Sequence, residues 1–199
     1  VIKEFFADYF LHNADVKFNL KTNEMEVLSG HSEQWKVAVI DTGLNTMTGG
    51  RVKRIQNYVG NETFMLTYGD AVGDINIKEL IEYHKSQGKI GTMTVYNFGQ
   101  NKGVVDIADN GLVNEFREKS NFDGNLINIG FMVFEPELFN YISGDNITFE
   151  KEPMTALVER KQLVSYIHRG FWQCMDTKRE KEKLENLWET GKAPWKLWE

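Results

Sequence analysis

Two hydrophobic patterns alternate along the first half of the chain. Short apolar runs at 35–43 and 64–68 end on or just before Gly and Asp, which is typical of buried strands. Each run is followed by a segment with apolar residues at helical spacing, at 48–59 and 76–87. This alternation predicts βαβ units and a mostly parallel sheet.

Three of the predicted helices carry start signals. Asn76 with Glu79, and Thr177 with Glu180, have the spacing of a capping box, in which the two side chains satisfy backbone N–H groups of the first turn. Thr48 stands at the corresponding place in the first βαβ unit, where its hydroxyl can act as the cap. We therefore expect helices to begin at these three cap residues.

Hairpin and strand patterns dominate elsewhere. A polar turn divides 16–28 into two short strands, and the Asp-Asn-Gly triplet at 109–111 divides a second pair. Apolar strands are also predicted at 125–135 and 163–176. The sequence thus predicts an α/β fold with one domain over 1–199: a Rossmann-like, mostly parallel sheet, helices on both faces and a β-hairpin-rich insertion.

Composition narrows the classes of function. The 199 residues carry a net charge of −6, so no basic surface for nucleic acid is expected. No apolar stretch reaches the length of a membrane span. The single cysteine, Cys174, rules out an internal disulfide and is typical of a reducing, cytoplasmic location. Because Val1 already stands inside a helical pattern, we expect the chain to begin within a larger protein.

Candidate chemistry begins with an acid after a buried strand. Asp70 follows the 64–68 strand, and Gly69 beside it leaves room for a phosphate or a metal ion. Mg²⁺ prefers carboxylates and substrate phosphates. Gly and Asp are also turn formers, so the residues alone leave both interpretations of Asp70 open. Asp74 lies next to the Asn76 cap, and a turn is sufficient to explain it.

A distant partner for Asp70 is Asp176, which also follows an apolar strand. An acid at a helix start is equally well explained by the helix dipole. The segment Thr46–Arg51 opens a helix with two glycines, which leaves backbone N–H groups and a guanidinium available to a ligand. An ordinary helix start with a surface arginine explains the same pattern.

A third group of polar residues lies further along the chain. Glu118 and Lys119 leave a strand into a loop, where charged residues are usually solvated. Asn128 lies in a buried strand, so its amide needs partners from the backbone or from a ligand. The four histidines lack metal-binding spacing, and no nucleophile motif is present, so hydrolase and thiol chemistry are poorly supported.

Five motifs together resemble the glucose-1-phosphate cytidylyltransferases, a branch of the sugar-phosphate nucleotidyltransferase family. In chain order they are DTGLNTMTGGRVKRI, LTYGDAVGDINI, FREKSNFDGNLINIGF, GFWQCMDT and LWETGKAPWKLWE. The resemblance covers nearly the whole chain. It implies transfer of a cytidylyl group from CTP to a sugar 1-phosphate, by in-line attack of the sugar phosphate on the α-phosphorus and release of pyrophosphate.

The resemblance also implies roles for individual residues. Asp70 and Asp176 would hold Mg²⁺, which offsets charge on the transferring group. Thr46, Arg51 and Gly69 would bind the nucleotide.

On the sugar side, the resemblance assigns Glu118 to the sugar hydroxyls and Lys119 to the sugar phosphate. Asn128 and Gly103 would line the sugar pocket. The implied catalytic residues are Asp70, Lys119 and Asp176.

The sequence departs from the family pattern in two regions. Around the sugar, the loop 96–107 differs from the family's Pro-Pro-Gly-Arg-Phe-Gly-like loop, Ser120 and Cys174 replace prolines, and Ile129 replaces a glycine. The family's first strand and its Gly-rich triphosphate loop have no counterpart. We therefore expect the full-length parent to be active and this chain alone to turn over poorly.

Two other functions fit the same residues. One is a non-catalytic nucleotide-sugar-binding domain that keeps the pocket without the chemistry. The other is an oligomerisation domain built on the Trp-rich tail 188–199. In each case we expect a homo-oligomer, with the 16–28 hairpin and the tail at subunit contacts.

Overall fold

The structure is a computed structural model that describes residues 1–30, 33–97, 104–107, 113–117 and 126–198. Contacts divide the chain into two units, Val1–Gly43 and Leu44–Glu199. The proposal of a single nucleotidyltransferase-type domain that lacks its first strand and Gly-rich loop stays a prediction.

The first unit contains two short helices and a hairpin. Its elements are α1 (Ile2–Ala7), α2 (Tyr9–His12), β1 (Ala14–Asn19) and β2 (Glu24–Gly30). The two strands pair antiparallel, with Phe18 opposite Met25. The hairpin predicted at 16–28 is therefore confirmed.

The apolar run at 35–43 is not a strand, and its prediction as a buried strand was wrong. Its residues have no regular structure and are exposed or half-buried. An apolar run becomes a strand only where a neighbour takes its backbone hydrogen bonds. None of the strands in the described ranges pairs with the 35–43 segment.

The second unit carries the remaining helices and strands. The helices are α3 (Thr48–Arg54), α4 (Gln56–Val59), α5 (Ile77–Gln87), α6 (Glu152–Glu159), α7 (Lys178–Glu189) and a 3₁₀ helix at Pro136–Tyr141. The strands are β3 (Phe64–Leu66), β4 (Ala71–Gly73), β5 (Gly91–Asn97), β6 (Val104–Ile107), β7 (Val113–Arg117), β8 (Leu126–Phe134), β9 (Leu163–His168) and β10 (Trp172–Cys174). Within the described ranges, none of the helices is both long and apolar enough to span a bilayer.

The main sheet has the strand order β3-β8-β5-β9. Both β3 and β5 run antiparallel to β8, and β9 runs parallel to β5, so three of these four strands share one direction. The α/β prediction is confirmed. The sheet is mixed rather than mostly parallel, because β5–β9 is the one parallel pair among its three strand pairs. β8 starts beside the end of β5, and the β6–β7 hairpin lies between them in sequence. A hairpin can connect antiparallel strands, whereas a parallel neighbour needs a crossover connection.

The insertion hairpin is also present. β6 pairs antiparallel with β7. Its predicted turn at 109–111 lies outside the described residues.

Side chains of β8 alternate between two cores. Met132 and Phe134 are buried with the 3₁₀ helix and α6, whereas Ile129 and Val133 are buried with Leu80 of α5. Successive side chains of a strand point to opposite faces of the sheet. The prediction of helices on both faces is therefore confirmed.

Two of the three predicted helix starts are confirmed. The Asn76 side chain accepts a hydrogen bond from the backbone N–H of Glu79, and Thr177 with Glu180 forms a complete capping box. These local bonds satisfy N–H groups that have no partner inside the helix. The first residues of α5 and α7 could therefore be predicted from the sequence.

Thr48 is not the cap that the sequence predicted. α3 has Met47 at the cap position, and Thr48 is its first residue. The Thr48 hydroxyl accepts a hydrogen bond from the backbone N–H of Phe149 at 2.8 Å instead. A contact distant in sequence has replaced the local one.

Candidate active site

Asp70 and Asp176 are brought together by a small second sheet. β4 pairs antiparallel with β10, with Ala71 opposite Cys174. Beyond this pair, the backbone N–H of Met175 donates to the carbonyl oxygen of Asp70 at 2.7 Å. Asp176 is the next residue and lies beside the Asp70 segment. The backbones at the two acids therefore lie side by side through an antiparallel strand pair that is separate from the main sheet.

Asp74 holds the turn that leads into β10. Its Oδ1 accepts a hydrogen bond from the backbone N–H of Phe171 at 2.6 Å and lies 3.1 Å from Nε2 of His168. A Cβ atom on Gly170 would collide with the Asp74 carboxylate, so a larger residue there would displace this side chain from its hydrogen bond. Asp74 is structural, as the sequence indicated, although the turn that it holds is 169–171 rather than its own.

The Asp70 carboxylate is exposed and lines a pocket of about 390 Å³ between β4 and α7. The lining residues are Gly69, Asp70, Ala71, Val72, Met175, Leu184, Glu185, Trp188, Glu189 and Trp195. In the part of the chain that the structure describes, no side chain hydrogen-bonds to the Asp70 carboxylate. A Cβ atom on Gly69 would have no neighbour within 4 Å. The Gly69–Asp70 segment is therefore open to a ligand.

Asp176 lies in a cluster with Cys174 and Glu180, whose candidate ligand atoms are all within 4.8 Å of one another. Glu180 is already engaged, because its carboxylate accepts a hydrogen bond from the backbone N–H of Thr177 at 2.8 Å. Burial and the neighbouring Asp176 raise the pKa of the Cys174 thiol. A sulfur ligand does not suit Mg²⁺, which prefers oxygen. Asp70 and Asp176 each carry carboxylate oxygens, the donor type that suits a hard cation such as Mg²⁺. Asp176 does not line the pocket that Asp70 lines, and the binding of one ion by both acids stays a prediction.

Gly49 and Gly50 bring α3 against the 145–147 segment. The backbone N–H of Gly49 donates to the carbonyl oxygen of Ile147 at 2.8 Å, and a Cβ atom on Gly50 would lie 2.5 Å from the carbonyl oxygen of Asp145. The glycines are needed for this close approach. The interpretation that they leave backbone N–H groups available to a ligand is wrong for Gly49, because its N–H is already bonded.

Thr46 and Arg51 flank the start of α3. Thr46 is buried, whereas Arg51 is exposed and donates to the carbonyl oxygen of Leu44 at 3.2 Å. This bond joins the first turns of α3 to the loop that carries Thr46. The structure therefore holds both residues in one ordered segment, and their contact with a nucleotide stays a prediction.

Asn128 lies near the start of β8, at the edge of the sheet where β3 and β5 end. Its Oδ1 accepts a hydrogen bond from the backbone N–H of Gly130 at 3.0 Å, which supplies the partner that the sequence required. Gly130 has φ +84°, and a Cβ atom there would collide with the ring of Tyr68. Glycine suits this position because it tolerates a positive φ and has no side chain to collide with the Tyr68 ring that covers it.

Gly103, Glu118 and Lys119 lie outside the described residues. Their assignment to the sugar and its phosphate stays a prediction.

The sequence argument missed a set of side chains at this edge. The Tyr68 hydroxyl donates to Oε1 of Glu150 at 2.8 Å, and the Thr48 hydroxyl donates to Oε2 of Glu150 at 3.0 Å. Burial and Glu150, with a smaller effect of Asp70, raise the pKa of Tyr68, whereas the Asn128 side chain acts in the opposite direction. The available signal was an aromatic residue placed directly before the Gly-Asp pair at a strand end.

The chain matches a known protein family and several of its relatives. The family model described as nucleotidyl transferase matches residues 18–185. A glucose-1-phosphate cytidylyltransferase of Salmonella typhimurium is 48% identical over 200 residues, which cover 100% of this chain and 77% of that protein. A mannose-1-phosphate guanyltransferase of Saccharomyces cerevisiae is 34% identical over 144 residues, 69% of this chain and 39% of that protein. The resemblance inferred from the five motifs, and with it the prediction of a nucleotidyltransferase, is confirmed.

Solved structures share the fold. A UDP-glucose pyrophosphorylase complexed with UDP-glucose matches with a TM-score of 0.55 at 15% identity, over 76% of this chain and 65% of that one. A glucose-1-phosphate thymidylyltransferase of Bacillus anthracis in complex with sucrose matches with a TM-score of 0.54 at 15% identity, over 73% and 62%. The chain thus spans less than two thirds of these two structures, and the likeness supports the α/β fold.

Proposed function

Because the chain belongs to the nucleotidyl transferase family, we propose that it transfers a cytidylyl group from CTP to a hexose 1-phosphate, with glucose 1-phosphate as the first candidate. The products are a CDP-sugar and pyrophosphate. The observation that carries the proposal is 48% identity, over the whole chain, to a glucose-1-phosphate cytidylyltransferase. The pairing that brings Asp70 beside Asp176 supports it, since open α/β sheets bind ligands beyond the carboxyl ends of their strands.

In the proposed reaction, an oxygen of the sugar 1-phosphate attacks the α-phosphorus of CTP in line. A new P–O bond forms while the bond from the α-phosphorus to the oxygen bridging to the β-phosphate breaks, and that oxygen leaves with pyrophosphate. Asp70 and Asp176 would hold Mg²⁺. When bound, the ion supplies positive charge beside the oxygens on which negative charge accumulates.

The substrates are assigned to the two sides of Asp70. Thr46, Arg51 and Gly69 would bind the nucleotide, and the open space beside Gly69 supports a close approach to its backbone. Asn128 would contact the sugar. Lys119, Glu118 and Gly103 complete the sugar side as predictions, since they lie outside the described residues.

The test is pyrophosphate release by the natural full-length protein. It would be given each of four nucleoside triphosphates with each of several hexose 1-phosphates, with Mg²⁺ or with a chelator. We expect turnover with CTP and glucose 1-phosphate, and its loss when the metal is chelated.

Two results would contradict the proposal in different ways. Efficient turnover with another triphosphate and poor turnover with CTP would overturn the base. Binding of CDP-glucose in calorimetry, with no pyrophosphate released from any pair, would instead support a non-catalytic nucleotide-sugar-binding domain.

Assembly and location stay predictions. A homo-oligomer is supported by exposed apolar side chains of the β1–β2 hairpin, such as Phe18 and Leu20, and of the tail, such as Trp188 and Trp198. Light scattering on the full-length protein would test it. The cytoplasmic location is supported by the sequence argument from Cys174.

A further inference from the structure

Glu150 joins two parts of the candidate active site that are distant in sequence. Both of its carboxylate oxygens accept hydrogen bonds, Oε1 from the Tyr68 hydroxyl at 2.8 Å and Oε2 from the Thr48 hydroxyl at 3.0 Å. Thr48 in turn accepts from the backbone N–H of Phe149 at 2.8 Å. We refer to Thr48, Glu150 and Tyr68 as the strut.

The two ends of the strut touch different sides of the site. At one end, the Tyr68 ring covers Gly130, whose N–H donates to the side chain of Asn128. At the other end, Thr48 opens α3, the helix that carries Arg51. The strut therefore runs from the proposed sugar side to the proposed nucleotide side.

The position of α3 does not depend on Glu150. Backbone bonds already dock this helix on the 145–149 segment, from Met47 to Asp145 at 2.9 Å and from Gly49 to Ile147 at 2.8 Å. What Glu150 adds is the link from that docked assembly to the Tyr68 hydroxyl.

We propose that Tyr68 and Glu150 are positioning residues for the transfer reaction. They hold the Gly130 turn, and Asp70 two residues after Tyr68, in a fixed geometry relative to α3. This inference rests on the proposed function. In-line attack depends on the distance and angle between two bound substrates, so a loosened strut lowers the rate of the chemical step more than it weakens the binding of either substrate.

The test compares substitutions that break the strut with one that keeps it, in the natural full-length protein. Tyr68→Phe removes the hydroxyl that donates to Glu150, and Glu150→Ala removes both acceptor oxygens. Glu150→Gln can still accept a hydrogen bond from Tyr68 and reach Thr48. We expect kcat to fall about tenfold or more in the first two variants, with each KM within about threefold of wild type. Glu150→Gln should stay near wild type.

Matched controls come from the opposite end of the sheet. The Tyr83 hydroxyl donates to the carbonyl oxygen of Ser165 at 3.0 Å, and the Glu135 carboxylate accepts from the Thr63 hydroxyl at 2.9 Å. Tyr83→Phe and Glu135→Gln remove or alter bonds of the same kinds away from the site. They should reduce thermal stability as much as the strut variants do, and they should leave kcat unchanged.

A second measurement does not depend on turnover. Exchange of the Gly130 backbone amide, followed by NMR, should be about tenfold faster in Tyr68→Phe and Glu150→Ala than in wild type, because the turn under the ring opens more often. Glu150→Gln should leave it unchanged.

The outcomes separate this inference from the proposed function. A wild-type protein that releases no pyrophosphate refutes the proposed function, and the amide exchange then decides whether the strut holds the turn. With an active wild type, equal losses in Glu150→Gln and Glu150→Ala would overturn the positioning role in favour of a charge effect. A Tyr68→Phe/Glu150→Ala double variant as impaired as the worse single variant supports the strut, and fully multiplied losses contradict it.

Discussion

The polar side chains differ between the two edges of the main sheet at which β3 and β5 begin and end. At the edge where β3 and β5 begin, polar side chains bond to one another. Buried His84 lies between Thr92, with Nδ1 2.8 Å from the hydroxyl, and Glu135, with Nε2 3.0 Å from Oε1, and Glu135 also accepts from Thr63. Every partner in this group is supplied by the protein, so the group stabilises the fold.

At the edge where β3 and β5 end, one acid has no such partner among the residues that the structure describes. Within the described ranges, no side chain hydrogen-bonds to Asp70, although it lies next to the strut and beside Asp176. An unpaired carboxylate beside another acid does not stabilise a fold. A ligand is therefore expected at the edge that carries Asp70, rather than at the edge with more buried polar groups.

The largest predicted effect is on catalysis, at Asp70. Asp70→Asn should lower pyrophosphate release by about three orders of magnitude or more, because it removes a proposed metal-binding charge. The free energy of unfolding should change by less than about 0.5 kcal/mol, since the carboxylate has no hydrogen-bond partner among the described residues. Steady-state kinetics and denaturant unfolding of the same variant check both halves. A large loss of stability would remove the contrast between the edges.

The second prediction concerns Asp74. This acid lies on the same side of the molecule as Asp70, but its carboxylate is bonded within the protein, as the polar groups at the opposite edge are. Asp74→Ala should lower the free energy of unfolding by about 2–3 kcal/mol, because it leaves the backbone N–H of Phe171 without its charged acceptor. The loss of kcat should be far smaller than for Asp70→Asn. Denaturant unfolding measures the first effect. Variants at the two acids that proved alike in stability and in activity would show that the distinction between them is wrong.

The sequence predicted local features of the fold better than it predicted the pairing of the strands. Strand ends, helix caps and the Gly-Asp pair are local features, so Asp70, Asn76 and Thr177 were found with their surroundings. The 35–43 run failed because a strand is defined by its neighbour, which no local pattern records. Glu150 was missed for a similar reason, since its partners Tyr68 and Thr48 are far away in sequence.

Thr92 provides the third prediction, on the satisfied edge. Thr92→Val keeps the shape of the side chain and removes the hydroxyl, leaving Nδ1 of buried His84 without a partner. We expect a loss of about 1–2 kcal/mol in the free energy of unfolding. Both kcat and KM should stay at wild-type values, because these groups lie at the opposite end of the strands from Asp70. A drop in kcat would mean that the two edges are coupled.

The smallest expected effect is at the capping box of α7. Thr177→Ala removes a cap side chain and should cost about 1 kcal/mol of stability at neutral pH. Hydrogen bonds from Thr177 lower the pKa of Glu180 from its usual 4.5. A lowered pKa in the folded state stabilises the protein above pH 4.5, and this contribution is lost as the pH falls through the lowered value. The stability difference between wild type and Thr177→Ala, followed by thermal unfolding at several pH values, should therefore shrink below pH 4.5. A difference that stayed constant with pH would show that the Thr177 hydroxyl does not act through the Glu180 carboxylate.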